Sequence, residues 1–406
     1  MSNFSIFSVL GIEIEYMLVD KEYLNVQPKS DRILNALAGR HVNEVELGDI
    51  VISNELVMHV LELKNNGPKH LSAPIVEHFQ KAILEIQPTL SEHNLMLMPS
   101  GAHPWMNPNL ETVRWPYENN DIYQQYDIIF DCKGHGWSNL QSMHVNLPYA
   151  NDEEFCQLHN IIRLILPLLP ALAASTPILD GKATGLLDTR LQFYSQNQQC
   201  IPSISGDIIP EFIRTEEEYQ QTILNPMYQD ISSFDPDNLL QHPWLNSRAS
   251  IPKFDHKAIE IRILDSQECV TADIAIAKCI YAILKNWYSS SQYYLENPCD
   301  TKRLKMLYDK SLVRGFSTLI EDSELLIQWQ VPKRLRTLHE VWSYLIERNS
   351  SALECNEQLA LELILSQGNL SERILRASGE NINLDTLKKV YAQLTSCLLS
   401  NEQFQS

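Results

Sequence analysis

Two glutamates share one face of a predicted strand near the start of the chain. The stretch GIEIEYMLVD at residues 11–20 alternates apolar and polar side chains, which predicts a β-strand with Glu13 and Glu15 on one side. Side chains at positions i and i+2 of a strand lie roughly 6.5–7 Å apart. Two carboxylates at that separation repel each other unless a cation or a shared proton lies between them. The polar face of this strand therefore needs either solvent or a positively charged partner.

The same alternation recurs in two later segments. The segment MHVNL puts His144 and Asn146 on one face, and the segment AIEIRIL puts Glu260 and Arg262 on one face, opposite three isoleucines. If the three strands lie in one antiparallel sheet whose apolar face is covered by helices, their polar side chains look out from the other face. The pattern therefore predicts an α+β fold built on an antiparallel sheet with one polar face.

The polar face would collect carboxylates, an imidazole, an amide and a guanidinium group. Carboxylate oxygens together with one imidazole nitrogen suit Mg²⁺ or Mn²⁺. An arginine beside such a metal site suits a phosphate. The sequence lacks the familiar phosphate-binding loops, because Gly134 and Gly136 are followed by neither a dinucleotide fingerprint nor a P-loop pattern. The residues of this face outline a phosphoryl-transfer site.

In their order along the chain, the three strands resemble the signature elements of the glutamate-cysteine ligase type 2 family. The segment GAHPW from Gly101, the segment ASTP from Ala174 and the segment TGLLDTR from Thr184 also resemble that family. The resemblance extends over about residues 10–285. It implies a glutamine-synthetase-like catalytic fold, in which a saddle-like antiparallel sheet has a polar active-site face and helices on the other face.

The resemblance also implies an activity, an ATP-dependent carboxylate-amine ligase. In such an enzyme ATP activates the carboxylate of glutamate or a similar acid as an acyl phosphate, and an amine such as that of cysteine then attacks it. The implied cofactors are ATP and Mg²⁺ or Mn²⁺. The implied metal ligands come from the three strands and from the second strand region, and they are Glu13, Glu15, Glu55, Glu62, His144 and Glu260. Glu55 and Glu62 are seven residues apart, so a bulge or a turn must separate them if both reach one site.

Basic and polar residues complete the implied site. Arg262 is the expected contact to the transferred phosphoryl group, and Arg190 matches a family arginine that faces a substrate carboxylate or phosphate. A structural ion pair is the alternative for Arg190. Many relatives have a second histidine or another residue two positions after the metal histidine, where this chain has Asn146. Asparagine can hydrogen-bond a phosphate or a substrate without adding positive charge. Lys253 is a further expected nucleotide contact, and solvated surface charge is the alternative for Lys253 and for Arg248.

Three alternatives to a glutamate-cysteine ligase stay open at this point. A carboxylate-amine ligase of this kind would also serve another amine, including a peptide-bound one. A non-catalytic or partner-dependent binding protein would keep the fold without turnover. A structural metal site in an unrelated fold would make the chain unfold when metal is removed, with no effect of ATP.

Charge and cysteine spacing restrict the partners and the compartment. A formal net charge of −19 argues against nucleic acid and anionic membranes as partners, since either needs a basic patch. The resemblance implies small-molecule substrates, an amino acid and an amine, and a homo-oligomer stays open. The eight cysteines include no closely spaced pair, which predicts reduced and mostly buried thiols. No signal-peptide pattern is visible, and the most apolar stretch, residues 164–174, is short and holds two prolines. A soluble, cytoplasmic protein is expected.

The chain is organised into two predicted parts. Residues 1–290 form the predicted catalytic domain and residues 291–406 a helical C-terminal extension packed on it, with a single domain as the alternative. Asn383 is predicted to cap the N-terminus of the last helix, and Gly368 is predicted to end the preceding helix in the left-handed conformation. His103 is expected to be structural or solvated. Helices are predicted at residues 29–38, 73–94 and 153–174 and from 272 onward, with a long loop containing a short helix at residues 107–137.

Overall fold

A computed structural model describes residues 4–406 and shows an eight-stranded antiparallel sheet surrounded by helices. A two-stranded hairpin stands apart from this sheet. The strands are β1 (Gly11–Asp20), β2 (Glu44–Leu47), β3 (Ile50–Asn54), β4 (Val60–Asn65), β5 (Leu95–Met98), β6 (Ser142–Pro148), β7 (Ile178–Leu179), β8 (Lys182–Ala183), β9 (Ser250–Lys253) and β10 (Ala258–Asp265). The α+β prediction is confirmed.

Strand β1 lies at the centre of the sheet. The strand order is β2-β3-β4-β1-β6-β10-β9, and β5 pairs with the second half of β1. Strand β1 therefore has three partners, and β6 lies between β1 and β10. The three strands whose sequences alternate in the same way are thus neighbours in one sheet, as the pattern predicts.

Helices make up most of the remaining chain. They are α1 (Ser30–Ala38), α2 (Ile75–Glu92), α3 (Pro108–Glu111), α4 (Asn120–Phe130), α5 (His135–Ser138), α6 (Asp152–Ile165), α7 (Leu169–Ala173), α8 (Thr189–Tyr194), α9 (Glu216–Tyr219), α10 (Asn225–Ile231), α11 (Val270–Tyr288), α12 (Ser291–Glu296), α13 (Thr301–Arg314), α14 (Ser323–Gln328), α15 (Leu338–Asn349), α16 (Cys355–Gln367), α17 (Leu370–Ser378) and α18 (Leu384–Ser400). Short 3₁₀ turns lie at Leu166–Leu168, Pro202–Ile204, Pro243–Leu245, Phe254–His256, Gly315–Ser317 and Ser350–Ala352, and a π-helix at Gln220–Leu224.

The apolar face of the sheet is covered by α2, α6, α7 and α11. The isoleucines of β1 and β10 and the apolar residues of β6 are fully buried in one large hydrophobic cluster with these helices. Removing this much apolar surface from water stabilises the fold by roughly 25 cal/mol per Å² buried. Because a shift of one residue would turn these side chains to the polar face, burial also fixes the register.

The C-terminal helices cover the second half of β1 from the other side. Met17 and Val19 follow the two glutamates on the same face of β1, and they pack in a separate apolar cluster with Leu387 and Tyr391 of α18. The polar face is therefore confined to the first half of β1. Helices α17 and α18 close one end of that face.

One hydrophobic cluster runs through both predicted parts of the chain. Ile276 of α11 and Trp342 of α15 belong to the same buried cluster as the sheet residues. Trp342 donates a hydrogen bond through Nε1 to the carbonyl of Leu168 at 3.0 Å. Residues after 290 thus contribute directly to the core beneath the sheet.

Three local predictions need correction. Residues 107–137 contain three helices, and α4 alone has eleven residues, because its aromatic side chains pack on Trp137 and Trp244. Gly368 ends α16 with positive φ but extended ψ, so it is not a left-handed cap. Arg248 is buried and paired with Glu211, so the alternative of a solvated surface charge is wrong for this residue.

One helical segment is apolar enough to raise the question of a membrane span. The segment Asp152–Ala173 is long enough and apolar enough to cross a membrane, but its most apolar part is entirely buried inside the protein. Packing under the sheet accounts for its apolar character.

Three buried histidines are held neutral by the fold. His103 lies before a proline and is 1% exposed, with Nε2 at 2.7 Å from the carbonyl of Leu24. Burial lowers the pKa of His103 to about 3 and the pKa of His59 and His159 to about 4. His103 is therefore a structural residue, in line with the prediction.

The histidines make the stability of the fold depend on pH. Their folded pKa values lie below the unfolded value of about 6.5, so the unfolded chain binds more protons below that pH. The free energy of unfolding should fall as the pH drops from 6.5 toward 4, by about 1.4 kcal/mol per pH unit for each histidine. Denaturant unfolding of His103→Gln across this range should show a slope smaller by one proton. The exposed control His41→Gln should keep the wild-type slope, and an unchanged slope in His103→Gln would contradict the assignment.

Candidate active site

The pairing of three strands brings the polar side chains together. Glu13 of β1 is the direct cross-strand partner of His144 on β6, and Glu260 of β10 is the partner of Asn146 on β6. Gly11 faces Asn146, and a Cβ atom at position 11 would lie 3.2 Å from the Asn146 Cβ. The glycine therefore leaves room for Asn146 to lie across β1 and donate to Glu13 Oε1 at 2.8 Å.

Glu13, His144 and Glu260 form the first cluster of potential ligands. One donor atom from each lies within 4.8 Å of the others. The Nδ1 atom of His144 is 3.4 Å from Glu13 Oε2 and 4.0 Å from Glu260 Oε2. Glu260 and His144 are buried, and Glu13 is largely buried.

Glu15, Glu62 and the same histidine form a second cluster with the same spacing. Glu62 of β4 is the direct cross-strand partner of Glu15. The backbone N–H of Ser142 donates to Glu15 Oε2 at 2.7 Å, and Ser53 donates to Glu62 at 3.0 Å. These bonds hold the two carboxylates in fixed positions, and His144 joins the two clusters.

Two lysines lie against the carboxylates. The ammonium group of Lys253 is 2.9 Å from Glu13 and also contacts Glu260. Lys64 is 3.0 Å from Glu62. Lys253 thus belongs to the cluster and is not a solvated surface charge.

Divalent metal fits this set of donors. Four buried or largely buried carboxylates face the ammonium groups of Lys64 and Lys253 and the guanidinium group of Arg262, so the carboxylates outnumber these cations by one. Carboxylate oxygens with a single imidazole nitrogen are the donors that Mg²⁺ and Mn²⁺ accept. The Oδ1 atom of Asn146 beside the first cluster is buried without a protein partner.

The charges in the clusters shift the pKa values of their members. Burial would raise the pKa of the Glu13 and Glu260 carboxyl groups, but His144 and Lys253 outweigh it and hold both below the ordinary range. Burial and the neighbouring Glu13 raise the pKa of Glu62 to about 7. Burial would lower the pKa of His144, but the surrounding carboxylates, Glu260 foremost, raise it. The clusters therefore attract and hold positive charge.

Glu55 lies at the site but outside both clusters. Strand β3 ends at Asn54 and β4 begins at Val60, so the connection supplies the turn that must separate Glu55 from Glu62. Its side chain lines a cavity together with Glu15 and His144. Burial and the nearby Glu62 raise the pKa of the Glu55 carboxyl well above its ordinary value. Among the described residues, Glu55 is the one predicted metal ligand absent from the two clusters.

A β-bulge places Arg262. The register of β10 against β6 shifts between Ile261 and Leu264, so two residues oppose His144. Bulges commonly redirect a side chain next to an active site. The guanidinium group of Arg262 contacts Glu260 at 3.3 Å and donates to the carbonyl of Asn246 at 3.3 Å. Arg262 is thus fixed beside the first cluster.

Arg190 is held by a buried ion pair at the end of β10. Its Nε donates to Asp265, and both residues are almost fully buried. Asp265 also accepts from the backbone N–H of Ser175 at 2.7 Å and from Thr176 at 3.0 Å. A Cβ atom at Gly101 would lie 2.6 Å from the Asp265 carboxyl carbon, so this position needs glycine. Arg190 lines the same cavity as Arg262, so the ion pair positions it without removing it from the site.

Two cavities border the clusters. The first has a volume of about 260 Å³, and we call it the aromatic cavity. Its wall includes His144, Arg190, Arg262 and five aromatic side chains, which are Tyr123, Tyr126, Trp137, Tyr194 and Trp244. The second has a volume of about 560 Å³ and includes Lys64, Lys253 and Asn146, and we call it the lysine cavity. A larger space of about 680 Å³ lies against α2 and α11 and shares no residue with the clusters.

Sequence reasoning missed several residues of the site. Asp265 directly follows the third alternating strand, and its position at the strand end was an available signal. Lys64 is two residues after Glu62 and lies on the same face of β4, so the alternation of that strand was also an available signal. Tyr194 is the last residue of the short helix α8 and Gln198 lies in the turns after it, and in so short a segment no spacing indicates which side chains turn inward.

Comparisons with known proteins agree with this architecture. The model of glutamate-cysteine ligase family 2 (GCS2) matches residues 9–393. An uncharacterized protein of Archaeoglobus fulgidus is 32% identical over 397 residues, which span 98% of this chain and 100% of that protein. The structure of a glutamate-cysteine ligase from Francisella tularensis in complex with AMP has a similar fold, with a TM-score of 0.62 and 12% identity. That similarity covers 98% of this chain and 90% of the other.

The ion pair at the end of β10 gives a stability prediction. Asp265→Asn should lower the free energy of unfolding by about 3–5 kcal/mol, because it leaves the buried Arg190 guanidinium without its counter-charge. Urea denaturation followed by circular dichroism measures the change. The control Asp309→Asn breaks a surface pair with Lys305 and should change stability by less than about 1 kcal/mol. A loss below about 1 kcal/mol in Asp265→Asn would show that Asp265 is not the counter-charge that Arg190 requires.

Proposed function

The chain belongs to glutamate-cysteine ligase family 2, and from this premise we propose that it is an ATP-dependent ligase joining a carboxylate to an amine. The acid we propose is glutamate or a similar acid, and the amine is that of cysteine or another amine. The observation that carries the proposal is the convergence of Glu13, His144 and Glu260 from three strands into one cluster on the polar face of the sheet.

The chemistry explains what such a site must do. A carboxylate is a poor electrophile, so its oxygen must first become a leaving group. In the proposed reaction, the carboxylate oxygen attacks the γ-phosphorus of ATP, ADP leaves, and the amine nitrogen then displaces phosphate from the acyl phosphate. Phosphoryl transfer depends mainly on positioning and on stabilising negative charge. A face that presents carboxylates for metal and guanidinium groups for phosphate suits both tasks.

The proposed metal ligands are the residues of the two clusters, Glu13, Glu15, Glu62, His144 and Glu260. Bound Mg²⁺ or Mn²⁺ would neutralise the triphosphate and orient it. Glu55 is proposed as an additional carboxylate of the same site, since it lines the cavity beside Glu15.

We place the nucleotide toward the lysine cavity. This cavity has the larger volume of the two at the clusters and combines apolar walls with Lys64, Lys253 and Asn146. Ammonium groups pair with phosphate oxygens, and an amide donates to them. The structural relative with bound AMP is consistent with nucleotide binding by this fold.

We place the acid in the aromatic cavity, where Arg190 and Arg262 line the wall. Arg262 contacts Glu260 of the first cluster at 3.3 Å, so it is close to where phosphate charge would develop. A guanidinium group binds phosphate or carboxylate with two parallel hydrogen bonds. Arg190 is proposed to face a carboxylate of the substrate.

An ADP-release assay tests the proposal. The purified protein should release ADP from ATP only when Mg²⁺, glutamate and an acceptor are present together, with cysteine first in a panel of free and peptide-bound amines. Each substrate omitted in turn should lower the rate to background. Stabilisation by ATP without ADP release would instead indicate a binding protein, and unfolding on metal removal without any effect of ATP would indicate a structural metal site.

Glutamine substitutions test the clusters. Glu13→Gln and Glu260→Gln should each lower ADP release by about 100-fold or more, because the amide keeps the shape but loses the charge that holds the metal. Both substitutions should also lower the free energy of unfolding, because each removes a carboxylate whose negative charge His144 and Lys253 stabilise, so turnover is compared under conditions in which both variants are folded. Binding of Mn²⁺, followed by electron paramagnetic resonance, should weaken in parallel. Glu46→Gln, an exposed glutamate of the same sheet, is the matched control, and near-normal turnover in the cluster variants would contradict the assignment.

A further inference from the structure

Three large apolar side chains are exposed beside the aromatic cavity. Ile128 of α4, Phe234 after α10 and Trp244 are 69%, 50% and 40% exposed. Trp244 also lines the aromatic cavity, so this surface reaches the mouth of the cavity. We call Ile128, Phe234 and Trp244 the apolar rim.

Contacts of α4 join these side chains into one surface. The Tyr126 ring lies 6.0 Å from the Trp244 ring, and Gln125 donates through Nε2 to the carbonyl of Phe234 at 2.7 Å. Gln125 and Ile128 are three residues apart on α4 and therefore share a face of that helix. Single exposed apolar residues are common on any protein, whereas contiguous ones mark a surface that binds another molecule.

The two segments that carry the apolar rim are acidic. Residues 118–131 and 229–244 contain seven carboxylate side chains and no lysine or arginine. Five of these carboxylates are exposed, and they are Glu118, Asp121, Asp131, Asp230 and Asp237. A surface of exposed carboxylates attracts cations and repels anions. Charge complementarity therefore favours a cationic partner for the apolar rim.

The position of the apolar rim indicates the size of that partner. The aromatic cavity has a volume of about 260 Å³, which suits one small molecule. Ile128 and Phe234 do not line this cavity, so a free amino acid enclosed in it does not reach them. They contact only atoms that lie beyond the reacting amine. The apolar rim therefore fits an amine that is carried on a polypeptide.

We propose that the apolar rim docks a cationic polypeptide, and that a lysine of this polypeptide is the acceptor of the ligase. This inference rests on the proposed function and specifies the amine that the proposed function leaves open. Apolar side chains of the polypeptide pack on Ile128 and Phe234, and its cationic side chains lie against the exposed carboxylates. One lysine side chain enters the aromatic cavity past Trp244.

The chemical step is the same as for a free amine. The neutral lysine nitrogen attacks the carbonyl carbon of the acyl phosphate, a C–N bond forms, and the C–O bond to phosphate breaks. Inorganic phosphate leaves, and one proton passes from the nitrogen to solvent. The flexible four-carbon stem of lysine lets the backbone of the polypeptide stay outside the cavity, at the apolar rim.

The experiment compares acceptors of different size and charge. The purified protein is given ATP, Mg²⁺ and glutamate, and ADP release is measured with four acceptors. The first is an acetylated and amidated peptide with one lysine among leucines and arginines. The others are the same peptide with glutamates in place of the arginines, free lysine and free cysteine. The first peptide should exceed each of the others by about tenfold or more in kcat/KM, because it alone matches both the apolar groups and the charge of the rim.

Two variants connect this preference to the apolar rim. Ile128→Ser and Phe234→Ser should each raise the KM for the first peptide by about fivefold or more, because each removes an apolar anchor of the interface. Hydroxylamine also attacks acyl phosphates and is too small to reach the rim, so hydroxamate formation should keep the wild-type rate in both variants. The matched control is Leu384→Ser, which truncates an exposed leucine at the start of α18 and should behave as wild type with every acceptor.

Docking is measured separately from turnover. Fluorescence anisotropy of the first peptide, labelled with a dye, should give a Kd that rises in parallel with the KM in Ile128→Ser and Phe234→Ser. A double variant, Asp121→Asn with Asp237→Asn, should weaken binding of this peptide at low ionic strength. The difference from wild type should shrink at high ionic strength, because salt screens exposed charges.

The outcomes separate this inference from the proposed function. Equal or better use of free cysteine or free lysine would overturn the inference, as would a wild-type KM and Kd for the peptide in both rim variants. Hydroxamate formation would in each case leave the ligase assignment intact. Self-association of the wild-type protein that Phe234→Ser abolishes, measured by sedimentation velocity, would show that a second copy covers the rim and would also overturn the inference. A complete lack of ADP and hydroxamate with every acceptor would refute the ligase assignment, and this inference would fall with it.

Discussion

Repulsion among carboxylates on one face of a sheet is the constraint around which this molecule is arranged. Glu13, Glu15, Glu62 and Glu260 come together because the apolar sides of their strands are buried on the opposite face. Burial of that apolar surface is favourable enough to hold like charges close. His144, the lysines and Arg262 contact the carboxylates and reduce this repulsion. The carboxylates are what make the site attract cations.

The C-terminal helices limit the polar face of the sheet to the first half of β1. Met17 and Val19 continue the face of the two glutamates on β1, but there α18 covers them. The two glutamates of β1 lie on the part of this face that α18 does not cover, and the cavities open beside them. The position of the site is thus set by where the C-terminal helices end, which gives these helices a role in shaping the face.

Alternation in the sequence predicted the sheet, its two faces and the meeting of its three polar strands. This worked because period-two burial is a local property that each strand encodes by itself. Side-chain positions that depend on contacts between distant segments could not be predicted from the sequence in the same way. The bulge that directs Arg262 arises from the pairing of β10 with β6, and the ion pair of Arg190 with Asp265 joins residues 75 positions apart. The burial of Arg248 and the placement of Lys253 inside the cluster have the same origin.

The carboxylate clusters and Arg190 are held in place by different parts of the fold. The clusters lie on paired strands, where backbone hydrogen bonds fix each side chain relative to its neighbour, as metal coordination requires. Arg190 lies on the short helix α8, and its ion pair with Asp265 connects it to the end of strand β10. The strands therefore fix the carboxylates and His144 relative to one another, and helix α8 adds the guanidinium group of Arg190 to the wall of the cavity beside them.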